Sequence, residues 1–234
     1  MRAMLCYAMR HAESTLNANR GGGPDCDLTE LGHAQAEAIA ERLACVPVRA
    51  VYSSPYCRAL RTAEPLAQHF GLPVLIRREL SEFNPSNWAD LLTWTPRTLD
   101  EICRTCGSAA LDPEHDGEFS WPPITETLPD VIERTRRFAR FLKQRWTDPS
   151  DRVAVFGHGL PIARLIDAWL TDSPGPSFRF VIENAAMSAL RYHDGVSSLL
   201  CLNEASHLLH LPPPAASTFE AIRTLTPRTK AAFW

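Results

Sequence analysis

The chain has 234 residues, of which 45% are hydrophobic and 22% charged, proportions that are typical of a globular protein and argue against extensive disorder. A chain of this length can bury one sizeable core, so we expect a single domain. With a net charge of -3 and a pI near 6.2, the protein lacks the positive field that gathers a chain onto nucleic acid or an anionic membrane, and neither partner is expected.

Strand-like apolar runs alternate with helical runs, which predicts an α/β fold: a three-layer sandwich with a mostly parallel central sheet flanked by helices. In chain order the predicted elements are strand 3–9, helix 30–44, strand 50–53, helix 58–70, strand 74–76, helix 126–146, strand 152–156, helix 161–169, and strands 178–182, 187–193 and 198–202. Thr29 is placed to cap the first helix, and Pro65 should kink the second.

The predicted domain covers residues 1–211, and two segments depart from the regular pattern. Residues 83–125 are irregular and rich in tryptophan, proline and polar side chains, so we expect a lid-like insertion over the sheet. A proline-rich tail follows at 212–234 and ends in Phe233 and Trp234. Such a tail is either disordered or docked on a neighbouring subunit, and the second alternative would make the protein a homodimer.

Nothing in the sequence directs the chain into a membrane or out of the cell, so we expect a cytoplasmic protein. Its first residues lack the apolar segment and cleavage site of a secretory signal, and no apolar run is long enough to span a bilayer. Seven cysteines without a disulfide-scaffold spacing fit free thiols. Cys103 and Cys106 have no second cysteine pair to complete the four ligands of a zinc site, so we interpret them as partly buried thiols. A zinc site is not expected at His207 and His210 either.

The first chemical motif is Arg10-His11, where the first predicted strand ends. A neutral histidine can attack phosphorus through a ring nitrogen, and an adjacent guanidinium can hold the non-bridging oxygens of a phosphoryl group. Alone, the pair is also compatible with a surface pair or a capping histidine.

A second histidine, His158, lies between Gly157 and Gly159 at the end of a later predicted strand. The carboxyl ends of parallel strands share one edge of a sheet, and ligands bind in the crevice there, so His11 and His158 are expected to face one cavity. The flanking glycines let the backbone approach a ligand. A tight strand-to-helix turn with a hydrogen-bonded histidine is the alternative.

Two further charged residues follow predicted strands. Arg58 falls in the first turn of a helix, where its positive charge lies unfavourably near the positive end of the helix dipole. This position is favourable if the helix end and the guanidinium together bind an anion. Glu82 follows the third strand and should reach the same sheet edge. Ser53 and Ser54 are interpreted as caps.

Together these motifs resemble those of the histidine phosphatase superfamily, the phosphoglycerate mutase-like proteins. The resemblance runs from about Leu5 to His193 and lies in four motifs, each at a strand end. The matching stretches are Arg10-His11-Ala12-Glu13-Ser14 with Asn17 and Leu28-Thr29-Glu30-Leu31-Gly32, Ser53-Ser54 through Arg58-Ala59 and Thr62-Ala63, Leu80-Ser81-Glu82, and Gly157-His158-Gly159.

The chain also departs from the family pattern. Ala12 replaces the commoner glycine, and the residues after Glu82 lack the glycine and Trp-Glu-Gly that many members have. The extended Glu-Arg-His-Tyr-Gly motif of glycolytic mutases is absent too. The resemblance therefore implies hydrolysis rather than mutase activity, with substrate contacts near the lid that differ from those of the family.

The resemblance implies a role for each matching residue. His11 would become transiently phosphorylated, while Arg10, Arg58 and His158 surround the phosphoryl oxygens. Glu82 would protonate the leaving alcohol and later take a proton from water. Substrate binding would further involve Asn17 and Gly159, and no metal or cofactor is implied because the arginines supply the positive charge.

From the resemblance we expect a phosphomonoesterase that acts on a small phosphorylated metabolite and is independent of metal. The alternatives are a phosphoglycerate mutase-like phosphotransferase, a protein phosphatase acting on phosphohistidine or phosphotyrosine, and a non-catalytic module that binds phosphorylated ligands. A binding module has no use for a proton donor such as Glu82, which counts against the last alternative.

Overall fold

A computed structural model describes residues 3–21, 23–84, 97–115, 125–171 and 180–213. The strands of these residues are β1 Met4–Arg10, β2 Ala50–Ser53, β3 Val74–Ile76, β4 Ala109–Leu111, β5 Arg152–Gly157, β6 Met187–His193 and β7 Val196–Glu204. The helices are α1 Glu30–Leu43, α2 Cys57–Phe70, α3 Leu99–Cys103, α4 Leu128–Arg145 and α5 Gly159–Leu170, with short 3-10 turns at Arg78–Leu80 and Ser206–Leu208.

The seven strands of the described residues form one sheet in the order β4-β3-β2-β5-β1-β6-β7. The pairs from β4 to β1 are all parallel, whereas β6 runs antiparallel to β1 and to β7. The predicted α/β fold with a mostly parallel sheet is therefore confirmed.

Helices cover both faces of the sheet, which gives the three predicted layers. One core cluster joins α1 and α2 to Ala154 and Phe156 of β5, and the other joins α4 and α5 to Val153 and Val155 of the same strand. Successive side chains of a strand point to opposite faces of the sheet, so β5 contributes apolar side chains to both faces. Its carboxyl end, which is held at the centre of the sheet, is thereby a rigid place for a site.

The carboxyl ends of the central strands meet at one edge. Arg10 pairs with Gly157 in the β1–β5 register, and the His11 amide donates to the Gly157 carbonyl at 2.8 Å. The Ser54 amide donates to the Phe156 carbonyl at 2.9 Å, which brings the exit of β2 to the same edge.

Local sequence explains where the helices begin and end. The Thr29 hydroxyl accepts a hydrogen bond from the Gly32 amide and caps α1 as predicted. Gly71 ends α2 with a φ of 63°, a left-handed conformation that favours glycine. Pro65 lies inside α2, which continues to Phe70, so the proline does not end the helix.

Two predictions about secondary structure are wrong in part. Segment 83–125 is more than an insertion over the sheet, because β4 within it pairs with β3 and extends the sheet. Residues 180–182 of the predicted strand 178–182 are not a strand. Ile182 packs in the core from a loop, and its carbonyl accepts a hydrogen bond from Arg10 instead of a strand partner.

Several predictions fall outside the described residues. These are the lid at 85–96 and 116–124, residues 178–179 of the strand just named, and the tail from residue 214 onward with its Phe233 and Trp234. Within the described part of the chain, no helix has the length and apolar character needed to cross a membrane.

The first turn of α1 presses on the loop that follows β1. A methyl group added at Gly32 would lie 2.0 Å from the carbonyl oxygen of Glu13, and that carbonyl also accepts the Thr29 amide. Glycine at this position is thus required for close packing and keeps the loop after His11 in place.

We expect Gly32→Ala to destabilise the protein by about 2 kcal/mol, although alanine normally favours a helix, because overpacking against backbone outweighs helix propensity. Gly107→Ala is the matched control, since a methyl group there meets nothing within 4 Å. Urea denaturation measures both, and equal free energies of unfolding for the two variants would refute the steric argument.

Candidate active site

Residues of three of the four sequence motifs line one cavity of about 80 Å³, and His158 of the fourth motif packs against His11 beside it. The cavity is lined by Arg10, His11, Ser14, Leu16, Asn17, Pro24, Tyr56, Arg58 and Glu82. His158 is fully buried, and its Nδ1 lies 3.6 Å from Oε2 of Glu82. The structure therefore brings together the five residues predicted to act on the phosphoryl group.

His11 leaves the end of β1 with its ring buried and its tautomer fixed. Nδ1 lies 2.8 Å from the Ala12 carbonyl oxygen, which can only accept, so the ring hydrogen is on Nδ1. Nε2 then carries a lone pair, toward which Nε of Arg58 donates at 3.2 Å. This arrangement presents a nucleophilic nitrogen next to a guanidinium.

The electrostatic surroundings keep His11 neutral. Burial lowers the pKa of His11 well below its ordinary value, and the charges of Arg58 and then Arg10 lower it further. The hydrogen bond to Ala12 acts in the opposite direction but is the smallest contribution to this pKa. At neutral pH the ring therefore has its lone pair available.

Arg58 is held on three sides in the first turn of α2. Nη1 donates to the Pro24 carbonyl at 2.6 Å, and the guanidinium lies 4.6 Å from the centre of the Tyr56 ring. Nη2 is 4.0 Å from the Glu82 carboxylate. With its Nε directed at His11, this arginine lies between the His11 ring and the Glu82 carboxylate.

Arg10 approaches from the end of β1. Its Nη1 donates to the Ile182 carbonyl at 2.8 Å. Burial lowers the pKa of Arg10, which the negative charges of Glu82 and Glu183 oppose. A methyl group on Gly159 would be 3.7 Å from Nε of Arg10, so Gly159 packs beside this guanidinium.

Glu82 is partly accessible, with a quarter of its side chain exposed. Oε1 accepts from the Phe83 amide at 2.9 Å, and Oε2 faces Arg58 and His158. Its segment is tied to α4, because Arg134 donates to the Glu79 carbonyl at 2.6 Å. The carboxylate is thus fixed yet can exchange protons with a ligand or with water.

His158 is the N-cap residue of α5, and its ring centre lies 5.1 Å from that of His11. Burial lowers the pKa of His158 well below its ordinary value, and the neighbouring Arg58 lowers it further. The second histidine therefore enters the site as a neutral ring and adds no charge at neutral pH.

Asn17 and Gly159 differ in their access to the cavity. Oδ1 of Asn17 accepts from the Ser14 hydroxyl at 2.9 Å and from Nδ2 of Asn184 at 3.1 Å, which leaves its own Nδ2 to donate to a ligand. Gly159 is not among the residues that line the cavity. Its predicted contact with substrate stays a prediction.

Sequence analysis missed two side chains that hold the loop after β1. Nδ2 of Asn184 donates to the His11 carbonyl at 2.9 Å, and the Thr62 hydroxyl accepts from the Ala12 amide at 3.0 Å. Thr62 belongs to a matching motif, but Asn184 carries no signal beyond being a polar residue between apolar ones. Both fix the backbone on which His11 depends.

The structure shows neither a disulfide nor a metal-binding cluster among the residues that it describes. All seven cysteines are free thiols. Among the residues that the structure describes, no group of three or more histidine, cysteine, aspartate or glutamate side chains is arranged to hold a metal ion.

Comparisons with known proteins agree with these motifs. A family model described as the histidine phosphatase superfamily (branch 1) matches residues 6–205. Phosphoserine phosphatase 1 of Hydrogenobacter thermophilus is 27% identical over 203 residues, which cover 86% of this chain and 92% of the relative. A probable phosphoglycerate mutase of Cronobacter sakazakii is 26% identical over 216 residues, with 89% of this chain and 95% of the relative covered.

A solved structure also shares the fold. The native structure of a mycobacterial glucosyl-3-phosphoglycerate phosphatase matches with a TM-score of 0.63 at 27% identity, covering 87% of this chain and 100% of that one. The resemblance stated from the motifs is thereby confirmed.

The two buried histidines predict a pH-dependent stability. In the unfolded chain both take up protons near pH 6.5, whereas the folded protein keeps their pKa values lower, so the unfolded state binds more protons as the pH falls. The free energy of unfolding is therefore retained above about pH 6.5 and decreases toward pH 5, by up to ~1.4 kcal/mol per histidine and pH unit.

Urea denaturation at pH 7 and pH 5 measures this decrease. His158→Gln should lose part of the pH dependence, whereas His33→Gln, which alters an exposed histidine of α1, should keep all of it. The same pH dependence in all three proteins would contradict the neutral buried ring.

Proposed function

Since the chain belongs to the histidine phosphatase superfamily, we propose that it is a phosphomonoesterase that hydrolyses a small phosphorylated metabolite through a phosphohistidine intermediate. The observation that carries the proposal is the unprotonated Nε2 of the buried His11 beside the guanidinium of Arg58. A neutral imidazole in a positively charged cavity is suited to attack a phosphoryl group.

In the first step Nε2 of His11 attacks phosphorus while the ester P–O bond breaks. Arg10 and Arg58 hold the equatorial oxygens, whose charge they complement in the transition state. For this, the Arg58 Nε–H must leave the His11 lone pair and turn to an oxygen. Glu82, in its protonated form, gives its proton to the leaving alcohol oxygen.

In the second step the same groups hydrolyse the phosphohistidine. The Glu82 carboxylate takes a proton from water, the water oxygen attacks phosphorus, and the P–N bond breaks. His11 recovers its lone pair, Glu82 is again protonated, and inorganic phosphate leaves. No step requires a metal ion, because the two guanidinium groups supply the positive charge, and we propose metal-independent turnover.

The dimensions of the cavity support a small ester. A cavity of about 80 Å³ suits a phosphoryl group, and the alcohol part of a larger ester would extend toward its mouth. Leu16, which is 45% exposed to solvent, is one of the residues that line the cavity. Two of the similar proteins are named as phosphatases of phosphoserine and of glucosyl-3-phosphoglycerate, which supports a metabolite as substrate.

Mutase activity is the second candidate, because one relative is named as a probable phosphoglycerate mutase. Glu82 favours hydrolysis, since a partly exposed carboxylate is accessible to the attacking water. Incubation with phosphoglycerates separates the two, since a hydrolase releases inorganic phosphate and a mutase yields the isomer.

The free cysteines support a reducing compartment, and we propose the cytoplasm.

We expect His11→Ala to lower kcat/KM for an aryl phosphate by roughly 10⁴-fold or more, because the nucleophile is lost. Wild type and the control His33→Ala should stay active, also in the presence of a chelator. Rapid quenching in alkaline denaturant, where the acid-labile P–N bond survives, should trap phosphate from a phosphorus-labelled substrate on His11 in wild type. Full activity of purified His11→Ala would end the proposal.

Glu82→Gln should separate substrates by their leaving groups. Alkyl phosphates need a proton on the departing oxygen, so their kcat should fall by roughly 10²- to 10³-fold, whereas aryl phosphates with acidic leaving groups should lose far less in the first step. The exposed Glu37→Gln of α1 is the control. An equal loss for both classes of ester, measured by burst kinetics of the first step, would show that Glu82 is not the proton donor.

A further inference from the structure

The hydroxyl of Ser54 contacts the second histidine of the site, a contact that the expected capping role does not include. Ser54 is fully buried immediately after β2. Its Oγ lies 2.8 Å from Nε2 of His158 and 3.4 Å from the amide nitrogen of Tyr56. These contacts determine where the proton of each group resides.

The amide of Tyr56 can only donate, so Oγ of Ser54 accepts that hydrogen bond. Among the residues that the structure describes, Nε2 of His158 is the one remaining hydrogen-bond partner of Oγ. If Nε2 also donated to Oγ, the buried hydroxyl hydrogen would have no acceptor, which is costly. The hydroxyl therefore donates, and Nε2 accepts.

An acceptor at Nε2 places the hydrogen of the neutral ring on Nδ1. Nδ1 is buried, has no hydrogen-bond partner among the described residues, and lies 3.6 Å from Oε2 of Glu82. An N–H at this point attracts the carboxylate and any anionic oxygen beside it, whereas a lone pair would repel both.

We propose that Ser54 is a positioning residue whose hydroxyl fixes His158 as the tautomer with hydrogen on Nδ1, facing Glu82. When Glu82 has given up its proton, the Nδ1–H stabilises the resulting carboxylate. The low pKa of His158 agrees with this, because a charged ring would have to donate from both nitrogens. The tautomer depends on hydrogen-bond geometry alone, while its effect on turnover rests on the proposed function.

Nitrogen NMR of protein labelled with ¹⁵N in its histidine rings tests the tautomer directly. The resonances of His158 are those that disappear in His158→Gln. We expect a protonated, pyrrole-type Nδ1 and an unprotonated, pyridine-type Nε2 in wild type. The opposite assignment in wild type would overturn the proposal, whatever the variants do.

Ser54→Ala removes the donor, so the His158 nitrogens should shift toward a mixture of tautomers and kcat should fall roughly tenfold. Ser53→Ala is the matched control, because that neighbouring buried serine donates to the Ser54 carbonyl at 3.0 Å and not to the ring. Ser54→Thr keeps the hydroxyl and should restore the wild-type tautomer. Unchanged nitrogen shifts and kcat in Ser54→Ala would refute the role of Ser54.

The two proposals fail in distinguishable ways. An active His11→Ala variant would end the proposed reaction and leave the NMR assignment of His158 intact. An inactive His11→Ala variant together with hydrogen on Nε2 of His158 would end the role of Ser54 alone. If Ser54→Ala does not fold, the wild-type spectrum still decides the tautomer.

Discussion

One hydrogen bond, from Nδ1 of His11 to the carbonyl of Ala12 at 2.8 Å, decides which ring nitrogen faces the cavity. Because the acceptor belongs to the next residue, the backbone beyond β1 must keep one conformation for the ring to present Nε2. Asn184 and Thr62 hold that backbone from two different parts of the chain. The orientation of the His11 ring, and with it the nitrogen that faces the cavity, thus depends on the backbone at the sheet edge as well as on the side chain itself.

The guanidinium groups of Arg10 and Arg58 affect the site in two ways. They make the cavity positively charged, and, in addition to burial, their charges lower the pKa values of His11 and His158. Burying a cation is unfavourable unless its hydrogens find acceptors, and here the carbonyls of Pro24 and Ile182 accept from Arg58 and Arg10. The loops after β1 and before β6 therefore each contribute a carbonyl oxygen that accepts from one of these two cations.

The convergence of the site residues could be predicted from the sequence, because each of them lies shortly after the end of a predicted strand. Parallel topology alone brings His11, Arg58, Glu82 and His158 to one edge, so their convergence could be expected. The contact of Asn184 with His11 could not, because it joins residues 173 apart through a loop with no regular pattern. β4 was missed because three residues are too few to show a period, and 180–182 was overpredicted because buried loops are apolar too.

The cavity of about 80 Å³ at the sheet edge suits a phosphoryl group, whereas the alcohol part of an ester would extend beyond it. The groups proposed for bond making and breaking sit at the rigid sheet edge, while the variable portion of an ester would be read outside it. Such a division would let substitutions at the cavity mouth change which ester is bound without altering the groups proposed to react. An ancestral gene with such a division could diversify by small steps, each leaving a working hydrolase.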